Sequence, residues 1–147
     1  MKTRGRSRWV LYAAALLAPV VCCLIVPAVL SLAPVDPFWL VRDYSAFLML
    51  ILFYPIIEEL SFRGVIQGSL LRWTQHRELV PGLTLANTIT SFLFVAVHFV
   101  YHSPMWAVAV WVPSLIFGYF RDRFESVVPA VFLHAFYNLI FYATMGK

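Results

Sequence analysis

The chain has 147 residues, 62% of them hydrophobic and only 12% charged, with a formal net charge of +4 and a mean hydropathy of +0.82. Soluble domains carry about 25% charged residues, so this composition excludes an ordinary soluble domain and places the chain in lipid. The length suits one all-α domain over residues 1–147, a polytopic transmembrane bundle of about five helices, with no room for a separate soluble domain.

The positive charge is concentrated at the start, where Lys2, Arg4, Arg6 and Arg8 precede the first apolar run. A basic cluster there holds a chain end in the cytoplasm, so topology accounts for it without a nucleic-acid partner. The run from Trp9 to Leu32 is too long for a secretory signal core, and Pro34 follows the small-residue exit at Ala33. It reads as a retained membrane helix with Pro19 and Pro27 as kink sites. Cys22 and Cys23 are neighbours inside it; two adjacent cysteines set neither a metal site nor a disulfide framework, and they read as small hydrophobes.

A turn rich in breakers, Ala33-Pro34-Val35-Asp36-Pro37, leads to a second apolar segment over about residues 44–71. A polar link from Arg72 to Gly82 precedes a third at about 83–101, and His102-Ser103-Pro104 a fourth at about 105–120. The charged link Arg121 to Glu125 leads to a fifth at about 127–144. Such continuous apolarity favours helices over barrel strands, which alternate and run about ten residues. With the N-terminus inside, the cytoplasmic side receives the four basic residues of the tail plus Arg72, Arg77, Arg121 and Arg123. The opposite side receives Arg42 and Lys147. That asymmetry predicts a multi-pass protein of the cell membrane with a cytoplasmic N-terminus and an external C-terminus.

Three polar constellations lie within these segments. The first is Glu58-Glu59-Leu60-Ser61-Phe62-Arg63. Ionised groups at bilayer depth cost about 2.5–3.5 kcal/mol each even on the lenient insertion scale, so three in six residues mark a functional site. Glu59 and Arg63 stand at i and i+4 in the favourable order for an ion pair. Glu58 points about 100° away on a helix. A purely structural ion pair therefore explains Glu59 and Arg63 and leaves Glu58 over. Pro55 upstream removes a backbone donor and opens a local bend, and Gly64 admits a close neighbour.

The second constellation is Phe94-x-x-x-His98 in the third segment, with His102 one turn on. The third is His134-x-x-x-Asn138 in the fifth, an imidazole and a carboxamide on one helix face. Interhelical polar glue contributes only about 1 kcal/mol per contact. Taken together, a carboxylate base, two imidazoles and an amide donor match the needs of water-mediated attack on a carbonyl. Desolvation favours a glutamate basic enough to take the proton. No serine stands in a Gly-x-Ser-x-Gly context and no His-Glu-x-x-His occurs, so serine-hydrolase and zincin patterns are excluded.

Glu58-Glu59-x-x-Phe62-Arg63-Gly64, Phe94-x-x-x-His98 and His134-x-x-x-Asn138, in that order and each on its own hydrophobic segment, resemble the motifs of the CPBP family. These are the CAAX-prenyl-protease-like and bacteriocin-processing intramembrane proteases, also called Abi proteins. The resemblance covers about residues 44–142 and implies an endopeptidase acting on membrane-associated proteins, lipidated or C-terminally tagged ones included. By analogy Glu58 with His98 activates the attacking water, and His134 and Asn138 stabilise the oxyanion. Glu59 and Arg63 form the support that orients Glu58. The resemblance implies a metal-free glutamate mechanism with no cofactor, or a Zn²⁺ centre held by Glu58, His98 and His134. The chain is short for the family, so the expectation is that substrate or a second copy completes the cavity wall. In its shortness the chain also resembles the prokaryotic branches that process C-terminal protein-sorting tags.

Two other readings compete. A bacteriocin-immunity or scaffold protein would bind a partner and cleave nothing. A transporter or proton relay would also keep buried acids and histidines, although the chain lacks an inverted repeat.

Overall fold

The computed structural model describes residues 2–30, 35–36 and 38–146, with side chains from Trp9 onward except at Leu30 and Leu40. The side chains of Lys2, Arg4, Arg6 and Arg8, the breakers Ala33, Pro34 and Pro37, and Lys147 lie outside the described residues.

Helices are α1 (Lys2–Leu30), α2 (Trp39–Arg42), α3 (Tyr44–Trp73), α4 (Leu85–Tyr101), α5 (Pro104–Ala109), α6 (Trp111–Phe124) and α7 (Val128–Met145). The chain is a helical membrane bundle. Among the described residues, three stretches are long and apolar enough to cross a membrane: Trp9–Val29, Tyr44–Trp73 and Val128–Met145. Helix α4, with 17 residues, is about 25 Å long against a hydrocarbon core of about 30 Å.

The segment expected at 105–120 differs in two ways. It is divided at Val110, and it extends through the link expected at Arg121–Glu125, because α6 continues to Phe124. Pro113 accounts for the division: its ring displaces the carbonyl four residues back, that of Ala109, where α5 ends. Polar contacts of Arg121 and Asp122, described below, account for the extension. The polar link also holds a small antiparallel hairpin, β1 (Glu78–Val80) and β2 (Leu83–Thr84), turning at Pro81-Gly82 with Gly82 at φ +85°. Proline then glycine at the two central positions is what a type II turn requires.

The chain folds as two compact units, Met1–Ile56 with Phe132–Lys147, and Ile57–Val131. In the first, the Tyr137 hydroxyl donates to the Ala15 carbonyl at 2.9 Å and the Trp39 indole N–H to the Tyr142 carbonyl at 2.8 Å. Trp39 and Tyr142 also meet edge to face, 6.3 Å between centroids. Indole and phenol thus find the acceptors they need when buried.

In the second unit the 57–73 part of α3 packs with α4 and α6 through polar as well as apolar side chains. Helix α3 contains two π-helical stretches, Leu48–Phe53 and Leu60–Ile66, separated by α-helix over Tyr54–Glu59. The second stretch has a packing consequence. Glu59, Arg63 and Gln67 are 0% exposed and Leu71 is 2% exposed, a strict four-residue rhythm. In a pure α-helix twelve residues at this spacing drift by about 120°. The wider π turn absorbs the drift and keeps all four side chains in one inward column.

Candidate functional site

The first motif sits where α3 passes from α to π geometry. Glu59 Oε2 and Arg63 Nε lie 3.2 Å apart, both side chains fully buried. The ion pair expected from the spacing therefore forms, as a charge contact whose alignment falls short of a hydrogen bond. Arg63 Nη2 donates to the Ser114 carbonyl at 2.9 Å and to the Ser114 hydroxyl at 2.7 Å. The guanidinium carbon lies 4.6 Å from the Phe94 ring centroid and 5.8 Å from that of Phe117. A buried cation needs such a combination of counter-charge, acceptors and aromatic faces to offset its lost hydration. Glu58, next in sequence, is only half-buried, and its charge also acts on Arg63.

The second motif meets the first through Phe94. Its ring packs edge to face on Phe62 at 5.0 Å and lies 4.4 Å from the His98 ring. His98 is half-buried, and its ring stacks on that of His102, 5.5 Å away. His98 Nδ1 is 2.8 Å from the Phe94 carbonyl oxygen. A carbonyl only accepts, so Nδ1 carries the proton and the neutral ring keeps its lone pair on Nε2. This is the tautomer that can take a proton from water or bind a metal through Nε2.

Beyond Arg63 the column is braced by groups that motif reading missed. Gln67 Nε2 donates to the Gly118 carbonyl at 3.0 Å and to Asp122 Oδ1 at 2.9 Å. Asp122 Oδ2 accepts from the Thr84 hydroxyl at 2.7 Å, while the same hydroxyl caps α4 by accepting from Asn87 N at 3.0 Å. Arg121 Nε donates to the Arg63 carbonyl at 3.1 Å. Burial pushes the Asp122 carboxyl up, against the opposing bonds from Thr84 and Gln67 and the charge of Arg121. Asn87 Nδ2 donates to the Leu115 carbonyl at 3.0 Å, and its carboxamide occupies the space a Cβ on Gly118 would need. Gln67 was detectable as the next four-residue step after Glu59 and Arg63. Ser114, Thr84 and Asp122 carried no spacing signal, because their partners are distant in sequence.

The third motif belongs to the other unit. His134 is buried, at 7% exposure, on α7. Asn138, one turn on, donates from Nδ2 to the Leu50 carbonyl at 2.8 Å. The structure thus joins Glu59 with Arg63, and Phe94 with both Arg63 and His98. It places His134 and Asn138 on the α7 portion of the first unit.

A zinc ion takes three or four N, O or S ligands. Within either unit, among the described residues, no three His, Cys, Asp or Glu side chains converge to hold one. Neither unit alone fits that centre.

Comparison with known proteins agrees with the motif order. No curated protein and no solved structure matches the chain. The family model described as type II CAAX prenyl endopeptidase Rce1-like matches residues 39–140, which include every motif residue named above. On that match the chain belongs to the type II CAAX prenyl endopeptidase Rce1-like family.

Proposed function

We propose that the protein is an intramembrane endopeptidase that hydrolyses a peptide bond near the C-terminus of a membrane-associated protein, lipidated or C-terminally tagged substrates included. The observation that supports it best is the division of labour between adjacent glutamates. Glu59 is committed to a fully buried ion pair with Arg63, which Ser114 and two aromatic rings hold in place. Glu58 shares that rigid turn but is only half-buried, as a group that must reach water has to be.

In the proposed reaction the Glu58 carboxylate takes a proton from water, with His98 Nε2 accepting a hydrogen bond from the same water. The oxygen attacks the substrate carbonyl, and His134 and Asn138 donate to the oxyanion. Collapse breaks the C–N bond, and the proton held by Glu58 passes to the leaving amine. Glu59 and Arg63 orient Glu58. No step is assigned to a metal or other cofactor. The Lys/Arg distribution supports a multi-pass arrangement in the cell membrane with the N-terminus in the cytoplasm.

The test is cleavage by the purified full chain in lipid vesicles, using a peptide anchored in the bilayer by a lipid near its C-terminus. Glu58→Gln, His98→Ala and His134→Ala should each lower kcat by at least about 100-fold. Undiminished cleavage by any of the three overturns the role given to that residue. Absence of cleavage by the parent on lipidated and tagged substrates alike would favour the non-catalytic immunity or scaffold reading.

A further inference from the structure

Asn138 bonds to Leu50 for a reason that begins with a missing hydrogen. Over Leu48–Phe53 the backbone runs in π register, and the Tyr54 N–H bonds to the Met49 carbonyl, five residues back. The next position in that register would carry an N–H from residue 55 to the Leu50 carbonyl. Residue 55 is proline, which has none. Tyr54, the α-register donor for the same carbonyl, is already spent on Met49. In lipid an open carbonyl has no water to turn to. The Asn138 amide, arriving from α7, supplies the donor at 2.8 Å. A carboxamide nitrogen carries two N–H groups. Fixing one on Leu50 sets the plane of the amide and hence the direction of the other.

We propose that Pro55 is a positioning residue: by leaving the Leu50 carbonyl open, it gives Asn138 an anchor that orients its second N–H for the oxyanion. The catalytic half of this inference rests on the protease reading; the anchoring half does not. Pro55 thereby acquires a task beyond bending a helix and packing in the interior, one that acts through Leu50 and Asn138.

A double-mutant cycle in the full-length protein tests both halves. Pro55→Ala offers the Leu50 carbonyl a backbone donor, and alanine favours a helix over proline, so the variant is expected to fold. Asn138→Ala alone should lower Tm by about 5 °C, and by less than about half that shift in the Pro55→Ala background. If Asn138→Ala cannot be purified, Asn138→Ser replaces it in the cycle. In the cleavage assay Pro55→Ala should lower kcat by about tenfold with KM unchanged, as expected for a misaimed donor, and should add nothing to Asn138→Ala. Equal Tm losses in the two backgrounds overturn the anchoring, and parental kcat in Pro55→Ala overturns the positioning. If the parent cleaves no substrate, the protease reading fails and the Tm cycle still decides the anchoring.

Discussion

Arg63 and Ser114 meet twice, one guanidinium nitrogen reaching both the carbonyl and the hydroxyl of a single serine. This double contact ties α3 to α6 at the depth of the first motif. Ser114→Ala keeps the carbonyl and loses the hydroxyl, so it should cost about 1 kcal/mol of stability and leave cleavage within about tenfold of the parent. Arg63→Lys cannot reproduce a fork that serves Glu59 and Ser114 together. It should cost about 3 kcal/mol and more than about tenfold in kcat. Thermal unfolding in detergent, beside the cleavage assay, separates the two variants.

Adjacent glutamates should fail in different ways. Glu59→Gln strands the buried Arg63 charge, and the expected loss is about 3–5 kcal/mol of stability. Glu58→Gln should leave Tm within about 2 °C of the parent while abolishing cleavage. Equal Tm losses in the two variants would contradict the assignment of separate tasks.

Gly118 allows α6 to lie against the Asn87 carboxamide. Gly118→Ala must push that carboxamide off the Leu115 carbonyl, with an expected loss of about 1–3 kcal/mol. Asn87→Ala should relieve part of the loss in the double variant, a coupling that a thermal-stability cycle reads directly.

Asp122 provides a test by pH. Its carboxyl titrates above the ordinary value of 3.8 because burial outweighs the bonds from Thr84 and Gln67 and the charge of Arg121. A carboxyl with a raised folded pKa holds its proton more readily in the folded state. Its contribution is therefore fullest below about 3.8 and declines as pH rises through the folded value. Asp122→Asn removes that decline, so its stability relative to the parent should improve as pH rises from about 4, and level off once the folded carboxyl is ionised. A difference that stays constant over that rise would contradict the shift.

Chelation tests the metal-free proposal. Incubation with a strong zinc chelator followed by its removal should leave kcat unchanged, since no step is assigned to a metal. Loss of activity restored by added Zn²⁺ would replace Glu58-activated water with metal-bound water.

The features legible in the sequence were those carried by local spacing and by bulk hydropathy. The apolar runs marked most helices, and the Glu59–Arg63 ion pair followed from a four-residue step along one helix. Asp122 illustrates what was not legible. Its partners Gln67 and Thr84 are 55 and 38 residues away, and these contacts carry α6 past the apolar run into a segment expected to be a link. The division at Val110 had a visible cause in Pro113, which apolarity alone concealed. The π stretches depend on long-range polar contacts as well as local propensity: at Leu50 the donor comes from Asn138, 88 residues on.

The inward column of Glu59, Arg63, Gln67 and Leu71 makes α3 sensitive to length as well as to identity. Deleting one residue between Leu60 and Ile66 would collapse the wide turn into ordinary α-helix. The eight steps from Glu59 to Gln67 would become seven of about 100°, within about 20° of two full turns, so Gln67 would still face Asp122. A second deletion would swing it away by about 100° more. Relatives of this chain can thus vary the outward residues of the stretch, or lose one residue from it, while insertions and longer gaps should be purged.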